Sequence, residues 1–449
     1  MNPALALTFA RAFGGTRWGP RARDRRTLLA RQAARIRRFL DRRLPRAGFY
    51  RDYRGCRLEE LPIVDKRTMM AEFAGFNTRG VTLERALAVA RAAEESRDFS
   101  PTLDGLTVGL SSGTSGTRGV FLVSDRERAL WAGILLARVL TPESLARLAN
   151  PARPPLRVAF FLRANSNLYG TLDSHRMLFE FYDLLQPLER HVARLNARPP
   201  DMIAGPPTVL RRLADAVHVG GLRLQPLQAI SAAEVLEPED ALVIASAFGR
   251  PVQQVYQCTE GLLGTTCTRG RVHLDEAHVH VEPEWLDHSR RFQPVVTDFT
   301  RETQLIVRYR LDDVLCMHSG SCDCGDPSLA LDAIEGRMDD ILWLRPVAGG
   351  EPRPVFADVV RRAMAVADPQ ASDYRIEQDG DEWHVALAGE STREAWRAAG
   401  AELMRLADRL ELERPTLRQT LWRPQPLHEK RRRIRCVAKP GPAPARALP

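Results

Sequence analysis

A loop of glycines and hydroxyl side chains is the segment of this sequence best suited to chemistry. Between two apolar runs, residues 110–119 read Leu-Ser-Ser-Gly-Thr-Ser-Gly-Thr-Arg-Gly. Three glycines permit a tight backbone bend, and the hydroxyl and N–H donors between them can converge on a polyphosphate. The loop lacks the Gly-Lys-Ser/Thr ending of a P-loop. Taken alone, it fits either a phosphate site or a plain flexible connection.

Four further motifs follow this loop in a fixed order. They cover residues 231–236, 256–260, 308–314 and 336–340. Each also has a purely structural interpretation when taken singly: a core-facing ring for Tyr256, a helix-start carboxylate for Glu260, a turn former for Asp313 and a surface ion pair for Arg337. The joint order and spacing of the motifs favours chemistry over these separate explanations.

Two pairs of soft ligands predict a structural zinc site. Cys322 and Cys324 are separated by one residue, and upstream Cys267 precedes His273 by six positions. Thiolates and an imidazole on two loops suit a closed tetrahedral Zn²⁺ site. The alternative is a set of isolated reduced thiols, because a lone Cys-X-Cys is weak evidence for a metal. Substitute ligands are available in Cys316 and His318.

An α/β fold must position these motifs. Short apolar runs at 156–162, 227–231, 252–256 and 304–309 alternate with helical stretches such as 207–217. This alternation predicts α/β layers, here in a large multi-layer N-terminal domain.

The pattern changes after residue 336 to that of a smaller α+β domain. The predicted order is strand 341–345, helix 355–367, strands 374–378 and 383–387, a helix opened by a capping pattern at 391–394, and strand 416–422. This βαββαβ order is ferredoxin-like. The predicted domains are therefore residues 1–336 and 337–438, followed by a disordered Pro/Ala-rich tail at 439–449.

Composition excludes several classes of protein. The chain has 449 residues, a net charge of +9 and seven unevenly placed cysteines, which do not form a disulfide framework. The apolar stretch 129–137 is too short to cross a bilayer. The N-terminal apolar run is followed rather than preceded by basic residues, which is not the order of a secretory signal. We therefore expect a soluble, cytoplasmic protein without a membrane partner. The sequence has an excess of arginines but no nucleic-acid-binding motif. This argues against nucleic acid as the binding partner and favours an anionic small substrate.

Together the motifs resemble those of the adenylate-forming superfamily of acyl-CoA synthetases. The closer likeness is to the phenylacetate-CoA ligase branch and to the related synthetase that adenylates a deazaflavin coenzyme. It includes residues 61–66 before the loop and 200–207 in the middle, so it extends from residue 30 to residue 437. That branch also resembles this chain in both cysteine segments, including the order of Cys267, Gly270 and His273.

The resemblance implies roles for the residues of the first three motifs. Thr259 would donate to the α-phosphate of ATP, and Glu260 would hold Mg²⁺. Tyr256 would flank the adenine, opposite a wall formed by Ala232, Ala233 and Glu234. The β- and γ-phosphates would be cradled by Ser112, Gly113, Thr114, Ser115 and Gly116.

Roles for the later motifs follow in the same way. Asp313 would accept from both ribose hydroxyls, which needs a carboxylate with two free oxygens. Arg337 would connect the nucleotide to the domain junction, and Asp339 would be the hinge about which the small domain rotates. Lys430 would be the mobile lysine that neutralises charge during adenylation, with Arg431 as its competitor.

The implied activity is that of an ATP-dependent, AMP-forming acid–thiol ligase. A small carboxylic acid would attack the α-phosphorus, pyrophosphate would leave, and coenzyme A or another thiol would capture the acyl-adenylate. The alternative activity places AMP on a hydroxyl of a small molecule, as the deazaflavin-coenzyme synthetase does. A third interpretation is a non-enzymatic basic protein with a nucleotide fold. The expected cofactors are ATP, Mg²⁺, coenzyme A and structural Zn²⁺, and a homodimer is left open.

Overall fold

The computed structural model describes residues 2–111, 118–163, 174–286, 290–367, 373–389 and 393–440. The chain divides into two units. The first consists of Met1–Leu311 and Leu315–Ile334, and the second of Asp312–Val314 and Glu335–Pro449. The predicted domain boundary at residue 336, with a C-terminal domain that moves relative to the N-terminal one, stays a prediction.

The first unit is a mixed α/β structure. Its helices are α1 (Pro3–Arg17), α2 (Arg25–Arg42), α3 (Lys66–Ala71), α4 (Phe73–Phe76), α5 (Leu83–Ser96), α6 (Asp125–Val139), α7 (Pro142–Ala149), α8 (Leu188–Ala197), α9 (Pro207–His218) and α10 (Pro238–Phe248). Short 3-10 helices lie at Leu44–Arg46, Gly48–Tyr53 and Leu58–Glu60. None of the helices in the described ranges combines the length and the apolar character that crossing a bilayer needs.

The strands begin with a hairpin and continue into one large sheet. They are β1 (Leu106–Leu110), β2 (Val120–Ser124), β3 (Leu156–Leu162), β4 (Met177–Asp183), β5 (Met202–Gly205), β6 (Gln228–Ala232), β7 (Val252–Cys258), β8 (Gly261–Thr266), β9 (Val272–Leu274), β10 (Val279–Trp285), β11 (Arg291–Asp298), β12 (Ile306–Arg310), β13 (Asp313–Met317) and β14 (Ala330–Arg337). β1 and β2 pair only with each other among the described strands.

The large sheet has a parallel half and an antiparallel half. Its strand order is β10-β11-β13-β14-β9-β8-β7-β6-β5-β3-β4, with β12 paired to β11. Strands β3 to β7 pair in parallel, whereas β8 returns antiparallel to β7. Because parallel strands share a direction, the carboxyl ends of β5, β6 and β7 lie at one edge of the sheet, where α/β proteins bind ligands.

One buried carboxylate ties the start of α6 to the segment after β11. Glu127 is 1% exposed and closes a capping box with Ser124, whose N–H (2.8 Å) and hydroxyl (2.7 Å) both donate to it. It also accepts from the N–H groups of Glu302 (2.7 Å) and Thr303 (3.0 Å) and from the Thr303 hydroxyl (2.5 Å). These donors replace the water that a buried carboxylate loses, so both segments are held in one geometry.

Apolar packing fixes α1 against α6 at close range. Phe9 and Phe13 of α1 pack on the core cluster that α6 forms with the parallel strands. A Cβ atom at Gly133 of α6 would lie only 2.6 Å from the Phe9 carbonyl oxygen. Only glycine therefore fits at this helix crossing without displacing backbone.

The second unit has the α+β character that the sequence predicts. Its elements are a 3-10 helix (Met338–Asp340), β15 (Leu342–Leu344), β16 (Arg353–Val355), α11 (Ala357–Ala367), β17 (Tyr374–Asp379), β18 (Glu382–Leu387), α12 (Arg393–Arg409), β19 (Thr416–Gln419) and β20 (Ile434–Ala438). The α/β class with a smaller α+β domain is thus confirmed. Residues 441–449 of the predicted tail lie outside the described residues.

The strand pairing in this unit differs from the ferredoxin-like expectation. The sheet order is β19-β18-β17-β20, and β15 pairs with β16 in a separate hairpin. β20, which the sequence did not predict, pairs in parallel with β17. The three-residue β15 is instead held by the fully buried Gln378 side chain, which accepts from Trp343 N–H (2.8 Å) and donates to Trp343 C=O (2.7 Å).

We expect Gln378→Ala to loosen β15 selectively. The variant leaves the buried Trp343 N–H and C=O without these partners, which costs about 2 kcal/mol. Hydrogen-exchange mass spectrometry should then show about 30-fold faster exchange in peptides covering β15. The exposed Gln225, which precedes β6 in the first unit, offers the control: Gln225→Ala should leave β15 unchanged. Unchanged β15 protection in Gln378→Ala would show that β16 pairing alone holds the strand.

Candidate functional site

The Ser/Gly loop connects β1 to β2 at the end of their hairpin. Its predicted phosphate ligands Ser112, Gly113, Thr114, Ser115 and Gly116 lie outside the described residues. The two ends of the loop are described and are hydrogen-bonded to each other. Ser111 N–H donates to the Gly119 carbonyl (2.8 Å), and Gly119 N–H donates to Ser111 Oγ (2.7 Å). These bonds extend the hairpin by one pair, so the loop starts from a fixed base.

Two basic residues flank this base in different ways. Arg118 pairs with Glu94 of α5 at 2.6 Å, so its charge is opposed by a carboxylate. Lys66 lies close to the base itself, with its Cε 3.7 Å from the position of a Cβ at Gly119. The sequence motif included Lys66 without a role. Lysine is rare in this chain, occurring only at positions 66, 430 and 439, and that scarcity is the signal that could have drawn attention to it.

The predicted adenine wall follows β6, beside Tyr256 on β7. The parallel register Ala232↔Val255 brings Ala233 and Tyr256 to the same edge of the sheet. Ala233 has a φ of +72°, in the left-handed region that favours glycine. The Glu234 carboxylate accepts from the Thr208 hydroxyl of α9 at 2.5 Å. The wall is therefore a strained turn whose carboxylate is anchored to α9, the helix that precedes β6.

Thr259 and Glu260 form the tight turn between β7 and β8. The Thr259 hydroxyl donates to the Glu260 carboxylate (2.8 Å), which places a hydroxyl and an anionic oxygen together at the sheet edge. The Thr259 carbonyl accepts from the Arg301 guanidinium (2.6 Å). After this turn β8 runs for six residues, Gly261–Thr266, and leads directly into Cys267. One strand thus links the turn to the cysteine cluster.

In the second unit, Asp313 and Arg337 lie within ion-pair distance. Arg337 Nε is 3.7 Å from an Asp313 carboxylate oxygen. Arg337 N–H donates to Asp340 (2.8 Å), which closes the short 3-10 helix that follows. The structure therefore brings these two predicted nucleotide ligands together. Their roles toward a nucleotide stay predictions.

The predicted hinge residue Asp339 belongs to a partly buried charge cluster. Arg432 donates to Asp339 at 2.8 Å and also pairs with Asp340. Burial raises the pKa of Asp340, and the Arg432 charge opposes that shift. The neighbouring arginines also face a carboxylate, since Asp373 lies 2.7 Å from Arg433 and 4.0 Å from Arg431. Lys430 precedes these arginines and is half-buried.

The four predicted zinc ligands converge in the first unit. The ligand atoms of Cys267, His273, Cys322 and Cys324 all lie within 4.8 Å of one another. Cys267 Sγ is 3.9 Å from Cys322 Sγ, and Cys324 Sγ is 3.4 Å from His273 Nε2. The other imidazole nitrogen, Nδ1, lies 3.0 Å from the Ser328 carbonyl, an arrangement that orients metal-binding histidines.

The surroundings of the cluster act differently on its individual thiols. Backbone N–H groups of Arg269 (3.3 Å) and Asp326 (3.4 Å) donate to Cys267 and Cys324 sulfur. Burial acts to raise the pKa of Cys322, but its hydrogen bonds outweigh burial and lower that pKa to about 7. Burial raises the pKa of Cys324 to about 12. The substitute ligand His318 instead lies 2.7 Å from Asp332, and neither it nor Cys316 belongs to this group.

Two solved structures have an architecture similar to that of this chain. A structure of 2-hydroxyisobutyryl-CoA ligase in the postadenylation state, in complex with R3-HIB-AMP, superposes with a TM-score of 0.60 at 14% identity, covering 92% of this chain and 89% of the ligase. An open conformation of the same ligase, in complex with 2-HIB-AMP and CoA, gives 0.54 at 15% identity, covering 92% and 91%.

This chain has the fold of that ligase. The likeness extends over both units, and at this identity it concerns architecture alone. No protein-family model matches the sequence, and no curated protein matches it either. Within the described residues, the structure brings together the pairs Thr259–Glu260 and Asp313–Arg337 and the four cysteine and histidine ligands.

Proposed function

We propose that this chain is an ATP-dependent enzyme that activates a small carboxylic acid as an acyl-adenylate and releases pyrophosphate. One observation carries the proposal: the turn after β6, Tyr256 near the end of the adjacent strand β7 and the Thr259–Glu260 turn after β7 lie at the edge of the sheet where α/β proteins bind ligands. The shared fold supports it, because structures of the ligase with that fold hold acyl-AMP compounds.

The chemistry of the turn fits a metal–nucleotide complex. Carboxylate oxygens such as those of Glu260 are the ligands that Mg²⁺ takes beside phosphate oxygens. When bound, Mg²⁺ would neutralise phosphate charge. We infer that the Thr259 hydroxyl, now donating to Glu260, turns to the α-phosphate, and that Ser112 to Gly116 bind the leaving pyrophosphate. Lys66 at the loop base adds positive charge on that side.

Lys430 is the basic residue that we assign to the reacting carboxylate. Arg431, Arg432 and Arg433 each lie within ion-pair distance of an aspartate of the second unit. The resemblance to acyl-CoA synthetases implies a lysine in this role, so Lys430 is preferred to its competitor Arg431. In a chain with only three lysines, a lysine next to three arginines also points to a specific role.

Coenzyme A is the thiol that we propose as acyl acceptor. The open ligase structure holds 2-HIB-AMP together with CoA, which supports a two-step reaction in this fold. Asp313 and Arg337 are proposed as ribose and nucleotide ligands, and Asp339 as the hinge. Membership of the phenylacetate-CoA ligase branch and the cytoplasmic location also stay predictions, and a homodimer stays open.

Pyrophosphate release against a panel of carboxylic acids tests this function. We expect acid-dependent release, hydroxamate formation when hydroxylamine traps the product, and a thioester when CoA is added. AMP stably attached to an alcohol would overturn acid activation in favour of a nucleotidyl transferase. No turnover with any substrate, together with salt-sensitive DNA binding, would support the non-enzymatic interpretation.

Lys430→Ala should slow adenylation without unfolding the protein. Removing a cation that stabilises transition-state charge costs about 100-fold to 1,000-fold in rate. Single-turnover pyrophosphate release is the measurement. Lys439 lies over the Trp343 ring at 3.6 Å, and Lys439→Ala serves as the matched control with an unchanged rate. Full adenylation by Lys430→Ala would move the role to Arg431 or out of this segment.

We also propose that the cysteine cluster holds a structural zinc ion. Three thiols and one imidazole provide the four ligands of a closed tetrahedral site, with no position left for substrate. Bound zinc would keep the thiols deprotonated and join the β8–β9 turn to the segment 322–324.

Metal analysis of single-cysteine variants tests the zinc site. The purified protein should contain one zinc per chain by plasma mass spectrometry, and Cys322→Ser should lose it and melt at a lower temperature. Cys316→Ser is the matched control, and it should retain the metal. Zinc loss in Cys316→Ser would show that Cys316 is a ligand in place of one of the four. A wild-type protein that is purified without metal and does not bind added zinc would contradict the site.

A further inference from the structure

A buried arginine stands directly behind the Thr259–Glu260 turn. Arg301 is 1% exposed, and its Nη2 donates to the Thr259 carbonyl at 2.6 Å. Its Nε and Nη1 have no hydrogen-bond partner among the described residues. Burying a guanidinium with so few hydrogen bonds is expensive, so the residue needs a reason beyond stability.

Neighbouring groups fix the position of this guanidinium. Its Cζ lies 4.5 Å from the centre of the Trp131 ring, a cation–π contact. Asp298 is buried beside it, with a carboxylate oxygen 3.6 Å from Arg301 Nε. Burial raises the pKa of Asp298, while the Arg301 charge opposes that shift. Asp298 in turn is held by Thr300, whose N–H (2.8 Å) and hydroxyl (2.6 Å) donate to it.

The chain segment that carries Arg301 is itself immobilised on both sides. Glu127 binds the N–H groups of Glu302 and Thr303. The Trp131 indole N–H donates to the Thr300 hydroxyl at 2.9 Å, so the same ring contacts both the segment and the guanidinium. Arg301 therefore presents its donor to Thr259 from a rigid support.

The turn also fits closely against Asp298. A Cβ atom at Gly261 would lie 2.9 Å from an Asp298 carboxylate oxygen, so the backbone after Glu260 rests on that side chain. A guanidinium hydrogen bond to the Thr259 carbonyl polarises the peptide group that joins Thr259 to Glu260. It also fixes the plane of that peptide and thereby the direction in which the Glu260 side chain leaves the backbone.

We propose that Arg301 is a positioning residue that orients the Thr259–Glu260 peptide so that the Glu260 carboxylate can hold the metal of a metal–ATP complex. The inference rests on the proposed adenylation function. It predicts that changes at Arg301 weaken metal use more than they weaken use of the acid substrate, because the substrate does not depend on this peptide plane.

The direct test is binding of Mn²⁺·ATP, followed by electron paramagnetic resonance, in wild type and Arg301→Lys. The lysine keeps the buried positive charge beside Asp298 but loses the planar donor geometry. We expect about tenfold weaker Mn²⁺·ATP binding. In pyrophosphate release, the Mg²⁺ concentration for half-maximal rate should rise by a similar factor, with an unchanged KM for the acid.

Two further variants separate positioning from folding. Arg211 pairs with the buried Asp240 at 3.0 Å, so Arg211→Lys makes the same change at a partly buried ion pair elsewhere in the unit and should leave Mn²⁺·ATP binding unchanged. If Arg301→Lys does not fold, the double variant Arg301→Gln/Asp298→Asn removes both buried charges and should show the same selective loss.

The possible results distinguish failure of the Arg301 positioning role from failure of the proposed function. Equal Mn²⁺·ATP affinity in wild type and the folded Arg301 variants overturns the positioning role and leaves the proposed function standing. Equal losses in Mg²⁺ use and acid KM also overturn it, since they indicate general damage. Absence of Mn²⁺·ATP binding by the wild-type protein overturns the proposed function and this inference together.

Discussion

The buried Glu127 carboxylate is the constraint on which the candidate site depends. It joins the first turn of α6 to Glu302 and Thr303, and thus fixes the segment that follows β11. That segment carries Arg301 to the Thr259 carbonyl, and Gln304 accepts from Leu122 N–H in the hairpin that leads out of the Ser/Gly loop. The Glu127 carboxylate has lost its water, and the hydrogen-bond donors around it replace that water. It therefore aligns two parts of the site that are far apart in sequence.

Local patterns predicted much of the fold because local physics determines it. The apolar run at 156–162 is β3, and the helix predicted at 207–217 is α9, Pro207–His218. Pairing in the second unit could not be foreseen in the same way. β15 has three residues and is bonded to the side chain of Gln378, which is 35 positions away, so its sequence carries no sign of the partner. β20 follows directly after three consecutive arginines, Arg431 to Arg433, and no strand was predicted there.

The candidate site shows the same division. The cysteine and histidine ligands converge as their spacing predicted, because Cys267 follows β8 and His273 lies on the adjacent strand β9, while Cys322 and Cys324 are separated by one residue. The partners of the charged residues were not predictable: Glu94 for Arg118, and Asp339 for Arg432. Those contacts join residues that are distant in sequence and ordinary in type. Arg301 was missed for this reason, since nothing in residues 298–304 alone distinguishes a buried arginine from an exposed one.

The length of β8 sets the distance between the cysteine cluster and the Thr259–Glu260 turn. The strand separates Glu260 from Cys267 by six residues, which in extended conformation span about 20 Å. Any ion held by that cluster would lie a whole strand length away from the Thr259–Glu260 turn. The cluster is therefore connected to the Thr259–Glu260 turn through β8, whose far end leads into Cys267.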